Sequence, residues 1–404
     1  MDSQMLQFKR TVNAPATEAY RAFTRAIALR EWLCDVAMAD ARAGGRLYLW
    51  WNSGYYACGE FTDVEPNKTV AFTWHGRGEP ATTHVQVALT VAAGGTEVTV
   101  THSGIGAGAE WAMARQEIER GWQVGLENLP AVLETGRDLR LVRRPMLGVY
   151  LGEFNAEIAA KLDVPVTGGL RLDGVAEGMG AQAAGLQKDD VIVSLGGKPV
   201  TTWPELMAAL QGHRAGDTVP VVFYRGGEKK EVAMTLSSRH LPEVPATAEA
   251  LAEAVRKMHA DLAAEIGGSL EGVSEAEAAS RPAPGEWSAL EVVAHLIAAE
   301  RENQTWITDL LNDDERWSDR FENPTNVPAR VSATVAAYPT LAAIVEAWKR
   351  SMAETAAMLA ALPPEFVAHK GSFWRLGRDL LQAPEHVQEH SAQIRAAVQA
   401  VRGQ

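Results

Sequence analysis

Cysteine is nearly absent: Cys34 and Cys58 are the only two in 404 residues. Their spacing is unlike any CxxC pair, so neither a disulfide framework nor a cysteine-built zinc knuckle can be assembled. Cationic residues are also in deficit, with 38 Lys and Arg against 51 Asp and Glu and a formal net charge of −13. No basic run is longer than a few residues, so a nucleic-acid partner is not expected. Long apolar runs are missing too. No stretch approaches the roughly 18 to 20 residues that a bilayer span needs, and the opening MDSQMLQFKR lacks a basic segment followed by an apolar core. A membrane partner is therefore not expected either, and the expectation is a soluble, unexported, cytoplasmic protein, which the sparse cysteines suit. There is also no G-x-S-x-G elbow and no recognisable Ser/His/Asp set, which argues against serine-protease chemistry.

The 47% hydrophobic and 22% charged content is enough for more than one buried core, and two to four domains is the natural prior. Three textures divide the chain. Residues 1–138 carry six of the twelve Trp and alternating runs such as RLYLWW, TVAFTW, VQVALTV and TEVTVTH, the pattern of antiparallel sheet. A helical stretch, ATEAYRAFTRAIALREWL, precedes those strands, and a long amphipathic helix that stops at Gly136 follows them. RDLRLVRRP reads as a linker. Short strands, a Gly-rich middle and one helix, WPELMAALQGH, occupy 145–238, and the prolines of RHLPEVPATAEA mark a second boundary. Residues 246–404 are Ala-rich, with helices expected at 247–265, 288–311, 339–361 and 385–402, the makings of a bundle. No internal repeat links the three segments.

In the first segment AFTRAIALREWLCDV, RAGGRLYLWW, GEFTDVEPNKTVAFTWHG, GGTEVTVTHSGI and ERGWQVGLENLPAVLETG occur in an order that resembles homologues of the heat-shock-chaperone ATPase activator, in the START-like (SRPBCC) superfamily. The likeness covers residues 5–136. It implies a helix-grip fold, in which a curved sheet wraps the last helix and leaves an apolar cavity. Trp50, Phe72, Trp74 and Trp122 either line such a cavity, where a small hydrophobic ligand would fit, or fill the core. His75, His84 and His102 have no carboxylate partner identifiable from spacing, and no catalysis is assigned to this segment.

In the second segment MLGVYLGEF, GAQAAGLQKDDVIVSLGGKPVTTWPELMAAL and GDTVPVVFYRGGEKKEVAMTL resemble a PDZ domain of the bacterial HtrA type. One departure is Asp189-Asp190, where the family usually has Gly-Asp. The resemblance implies strand addition, in which the C-terminal tail of a partner protein pairs with a sheet edge and its carboxylate meets main-chain amides. Those amides would belong to Leu147, Gly148 and Val149, with Leu206 and Leu210 as the wall for the last peptide side chain.

The third segment contains PEHVQEHSAQI, residues 384–394, where His386 and His390 stand four apart on one helical face, about 6 Å from each other. Two imidazoles at that spacing can share a cation, but a third nitrogen is required. His295 in EWSALEVVAHLIAAE supplies it, because Leu290, Val293, Leu296 and Ile297 turn this part of its helix toward the bundle interior. The arrangement resembles the DinB superfamily, with Trp287, Ser288, Glu291, His295 and Leu296 in one motif and His386, His390, Gln393 and Ile394 in the other. The likeness covers about 247–402 and implies three histidines on one cation with open positions for water or substrate. Three imidazoles suit Zn, Ni or Fe(II), and the residues do not choose between them. Pro384 either opens the last helix or kinks the chain before His386. Glu300 and Glu389 are either solvated charges or groups that support the ligands. His259 and His369 fit neither motif.

The expected fold is a multidomain α+β chain: a START-like helix-grip domain over 1–138, a PDZ β-sandwich or barrel over 145–238, and a C-terminal up-down four-helix bundle over 246–404. Two functions fit. One is a metal-dependent transferase or hydrolase, of which a thiol S-transferase or isomerase is the form some relatives take. The other is a non-catalytic, stress-related adaptor with a structural metal. A homodimer is compatible with either.

Overall fold

Alternation builds the first sheet. The protein is described from a computed structural model in which residues 3–314 and 326–403 are placed. Its N-terminal strands are β1 (Ser3–Val12), β2 (Val36–Ala39), β3 (Arg46–Trp50), β4 (Tyr56–Glu65), β5 (Thr69–Gly76), β6 (Thr83–Ala92) and β7 (Gly95–Gly106). They form one antiparallel sheet in the order β1-β7-β6-β5-β4-β3-β2. On β5 every second residue, Val70, Phe72, Trp74 and Gly76, is buried, as a strand with one covered face requires. Helices α1 (Ala16–Thr24) and α2 (Ala26–Trp32) separate β1 from β2. The long α3 (Ala112–Thr135) buries Ile118, Trp122, Leu126, Leu129 and Val132 at three- and four-residue spacing, one stripe that closes the core over the sheet. It ends at Gly136, whose φ of 78° is the left-handed cap that glycine allows.

By packing, residues 139–241 are one unit, and the N- and C-terminal segments together are the other. The smaller unit contains α4 (Leu139–Val142), β8 (Pro145–Met146), β9 (Val149–Gly152), α5 (Ala156–Lys161), β10 (Leu170–Val175), α6 (Gly180–Ala183), β11 (Val191–Leu195) and β12 (Lys198–Pro199). It continues with α7 (Trp203–Leu210), β13 (Thr218–Arg225), β14 (Glu228–Thr235) and β15 (Ser237–Ser238). The strand order is β14-β13-β11-β10-β9, with β12 on β11, and β8 pairs with β15 so that the two ends of the unit meet. Strand β9 is an edge. Helix α7 starts at a capping box, Thr202 with Glu205, with proline in its first turn.

The C-terminal segment holds four long helices, α8 (Ala248–Ser269), α10 (Ala289–Leu311), α12 (Leu341–Ala360) and α15 (Ala383–Arg402). Shorter ones are α9 (Glu275–Ala279), α11 (Asn326–Ala337), α13 (Pro364–Ala368) and α14 (Lys370–Leu381). Pro384 falls in the first turn of α15, where its missing N–H is harmless, and the preceding FWRLGRDLL belongs to the separate helix α14.

Helix α14 joins the two segments. Its Phe373, Leu376 and Leu380 share a core cluster with Leu251 and Val255 of α8 and with Ile27 of α2. Its start meets α2 and α3 so closely that a Cβ on Gly136 would overlap the Lys370 carbonyl, and one on Gly371 would overlap the Glu31 carboxylate. Polar groups complete the contact. Arg21, 8% exposed, donates to Asp313 at 2.6 Å, to Ser372 at 2.9 Å and to Glu31 at 3.3 Å, and the Ser372 hydroxyl donates in turn to Glu31. Nearby, His369 Nδ1 lies 2.9 Å from Glu18 Oε2 and Lys370 donates to the Glu134 carbonyl at 2.7 Å.

Candidate functional site

The start of α10 is set by sequence chemistry. The Ser288 hydroxyl accepts from the Glu291 amide at 3.3 Å while Glu291 Oε2 accepts from the Ser288 amide at 2.9 Å, a reciprocal cap that Arg281 reinforces by pairing with Glu291. Glu291 is thus a structural cap, and it fixes where His295 falls on the helix. His295 is half-buried, and the Trp287 ring packs against it at 5.1 Å between centroids. From α15, the His390 ring approaches to 4.8 Å at an interplanar angle of 67°. His390 Nδ1 lies 2.8 Å from Gln393 Oε1, and since an amide oxygen only accepts, Nδ1 carries the proton and Nε2 presents the lone pair. His386 stands one turn earlier on α15, and its side chain lies outside the described residues. Two of the three expected ligands are therefore seen together, and among the described residues no group of three or more metal-binding side chains is formed. A groove of about 320 Å³ runs between α8 and α15, lined in part by Met258, Asp261, Pro384 and Gln388.

Further along α10 lies a buried polar cluster. Glu300, 8% exposed, has its Oε1 3.5 Å from His259 Nε2 of α8, and its Oε2 accepts from the Thr355 hydroxyl of α12 at 2.7 Å. Gln304 ties the cluster to α12 by donating to the Ser351 carbonyl at 3.0 Å and to the Thr355 hydroxyl at 3.2 Å. Burial pushes the Glu300 carboxyl up and His259 down to about 4, so both favour their neutral forms. Glu389 is exposed on α15.

In the N-terminal domain Phe72, Trp74 and Trp122 stand ring against ring, with Phe72 to Trp74 at 6.5 Å and Trp74 to Trp122 at 5.9 Å. Trp50 does not join them. Leu47 and Leu49 are the inward residues of β3, and strand parity turns Trp50 to the other face; its successor Trp51 packs on the core instead. His102 is fully buried and satisfied: Trp122 Nε1 donates to Nδ1 at 3.0 Å, which leaves the proton on Nε2, 2.7 Å from the Thr83 hydroxyl. Burial, helped by His84, lowers its pKa to about 4. His102 is a neutral structural histidine.

On β9 the residues Val149, Tyr150 and Leu151 pair with β10, and among the described residues no strand pairs with their other side. Gly148 has φ 78°, and a Cβ there would overlap the Met179 side chain, so this backbone needs glycine twice over. Leu147, Leu206 and Leu210 are buried in the core of the unit, while Tyr150 and Trp203 are 62% and 55% exposed on the edge strand and on α7. Asp189 has φ 68°, which accounts for the glycine usual at this turn, and its carboxylate accepts from Arg171 at 2.7 Å.

Comparison with known proteins divides the chain into three, as its sequence textures do. Residues 13–134 match the family described as activator of Hsp90 ATPase homolog 1-like protein, residues 145–236 match the PDZ domain, and residues 266–394 match the DinB superfamily. The chain carries these three domains in that order. Among curated proteins, the serine protease Do-like HtrA of Lactococcus lactis is 36% identical over 101 residues, which are 24% of this chain and 25% of that protein. The periplasmic pH-dependent serine endoprotease DegQ of Escherichia coli is 32% identical over 101 residues, 25% of this chain and 22% of that one. The chain thus spans about a quarter of the length of these relatives. Among solved structures, protein MLL2253 from Mesorhizobium loti is 26% identical and covers 32% of this chain and 97% of that chain, with a TM-score of 0.30. The Aha1 dimer from Colwellia psychrerythraea is 24% identical, with 33% and 98% coverage and the same TM-score.

Within the DinB domain the motif residues take separate roles: Trp287 packs on a histidine, Ser288 and Glu291 cap a helix, and Gln393 sets a tautomer. His259 lies before the matched region, yet it pairs with Glu300 inside it. That pair fits neither motif, but one signal for it exists: His259 interrupts the apolar stripe Leu251, Val255, Leu262, Ile266 of α8, and a polar residue in a buried stripe needs a partner.

Proposed function

We propose that the DinB domain is a divalent-metal centre held by His295, His386 and His390, in a chain whose PDZ domain receives a free peptide C-terminus and whose N-terminal domain takes a small apolar ligand. One observation supports the metal reading above all others: the His295 and His390 rings lie 4.8 Å apart, and Gln393 holds the His390 proton on Nδ1 so that Nε2 is the ligating nitrogen. His386 lies one turn away on the same helix, a spacing that suits a shared cation. Zn, Ni or Fe(II) suits three imidazoles. Three neutral ligands leave the charge of a bound dipositive ion uncompensated, which would acidify a coordinated water or small thiol and suits transfer or hydrolysis. Trp287 holds the His295 ring, and Glu300, whose carboxyl burial pushes up, stands about 7.5 Å further along α10. Metal analysis of full-length protein loaded with Zn(II) tests the reading. The wild type is expected to retain one ion, and the His295→Ala and His386→Ala/His390→Ala variants none; stoichiometric metal in either variant removes the assignment.

The open edge of β9 favours a second reading, an adaptor in which the metal is structural and the PDZ domain recruits a protein tail. Cobalt(II) substitution separates the two. An absorption spectrum that shifts on adding azide or a small thiol shows an exchangeable position and supports the enzyme, and a spectrum indifferent to both supports the adaptor.

A further inference from the structure

Glu79, in the turn between β5 and β6, is 7% exposed inside the aromatic end of the N-terminal core. Its Oε1 accepts from the Tyr55 hydroxyl at 2.9 Å and from Trp74 Nε1 at 3.0 Å. Its Oε2 is buried and, among the described residues, has no hydrogen-bond partner. Neither donor neutralises the carboxylate, since an indole does not titrate and the Tyr55 phenol is pushed up by burial and by Glu79 itself. Two further polar groups of this aromatic cluster are committed elsewhere. Trp51 Nε1 donates to the Leu33 carbonyl at 2.7 Å, and Trp122 Nε1 donates to His102, which is neutral. The protein thus buries a carboxylate oxygen that none of these groups can complete.

The two donors to this carboxylate belong to an aromatic cluster. Trp51 stands 5.3 Å from Tyr55 and 6.3 Å from Trp74, and Trp74 stands 5.9 Å from Trp122, all between ring centroids. Ring faces attract cations and repel anions, and they do so most strongly where water is excluded. A carboxylate with an open lone pair among such rings selects a positive charge. A quaternary head has no N–H to give an oxygen that lacks a hydrogen-bond partner, whereas a primary ammonium is small and brings three N–H donors. We propose that Glu79, with Trp51, Tyr55 and Trp74, is the receptor for the ammonium head of a primary amine whose apolar tail enters the core of the helix-grip domain. This rests on the reading of that domain as a ligand-binding one, and it replaces a purely hydrophobic ligand with an amphiphilic cation.

Isothermal titration of the full-length protein with n-octylamine, n-octanol and n-octanoate near neutral pH tests it. The wild type is expected to bind octylamine saturably and roughly tenfold or more tighter than octanol, with octanoate weakest. Glu79→Gln, which changes the net charge by only one, is expected to lower octylamine to the level of octanol. Trp51→Leu, at a partly exposed ring, is expected to weaken octylamine several-fold and serves if the Glu79 variant fails to fold. Octanol binding with no preference for the amine, or unchanged octylamine affinity in Glu79→Gln, overturns the ammonium receptor and leaves a hydrophobic site standing. Absence of binding by all three probes overturns both.

Discussion

At His390 the protein controls a ring tautomer with one amide oxygen, Gln393 Oε1 at 2.8 Å from Nδ1. Replacing Gln393 by Leu keeps the helix and much of the volume but frees the proton to occupy either nitrogen. Metal affinity is expected to fall by about 10- to 100-fold in chelator competition, the usual effect of losing such a support; an unchanged affinity would show that the tautomer is not held by this contact. A second consequence at this scale concerns pH. His102 and His259 both have folded-state values of about 4, below the ordinary 6.5, because burial disfavours the imidazolium. Below about pH 6.5 the unfolded chain takes up protons that the folded chain refuses. Stability is therefore expected to decline as pH falls from about 6.5 toward 4, by about 1.4 kcal/mol per pH unit for each of the two groups. Urea unfolding of wild type and His102→Gln across this window checks the sign, since the variant should lose one group's share of the slope. The residues that make these effects were unequally readable. The histidines and Gln393 stand in motifs with fixed spacing, whereas the role of Glu300 depends on a histidine forty-one residues earlier in the chain, on another helix.

Elements were largely readable wherever local chemistry decides them. The helices expected at 247–265, 288–311, 339–361 and 385–402 correspond to α8, α10, α12 and α15, and the starts of α8, α10 and α12 are marked by capping side chains. Strand alternation was equally informative, but parity is unforgiving: counting the aromatic pair Trp50-Trp51 one residue early places the wrong ring inside. Helix α14 is not among the helices expected from the sequence. Its Phe373, Leu376 and Leu380 do form one apolar stripe, but the helix is short and carries Gly371 and Gly377, which lower helix propensity. Gly148 marks the opposite case, where one residue decides an element's use. Gly148→Ala places a side chain at φ 78° and against Met179. The PDZ domain is expected to lose about 1–2 kcal/mol or more, and fluorescence anisotropy should show a labelled peptide with a free apolar C-terminus no longer bound. If the variant binds that peptide as the wild type does, the carboxylate cradle lies elsewhere.

At the scale of the whole molecule, texture separates the chain into three, while packing joins the first and third segments into one unit and leaves residues 139–241 as the other. That union could not be read from sequence, because Arg21 and Ser372 are far apart in the chain and each looks like an ordinary helix residue. Its physical basis is a buried cation with two carboxylates and a hydroxyl in reach, set between close-packed glycines. Such a network adds little net stability when complete, but removing one partner strands the others without water or counter-charge. Arg21→Met leaves Glu31 and Asp313 facing each other across the joint and is expected to destabilise this unit by about 3–5 kcal/mol. Because α14 leads through Gln382 directly into α15, the loss falls on the helix that carries His390. Calorimetry of the wild type should show the helix-grip and DinB domains unfolding in one transition and the PDZ domain in another. In Arg21→Met the shared transition should broaden or split, and Glu31→Gln/Asp313→Asn in the same background should restore part of the loss by removing the stranded charges. A wild type in which the two domains melt separately, or a variant that melts as the wild type does, would show that the joint is a contact of convenience rather than a single core.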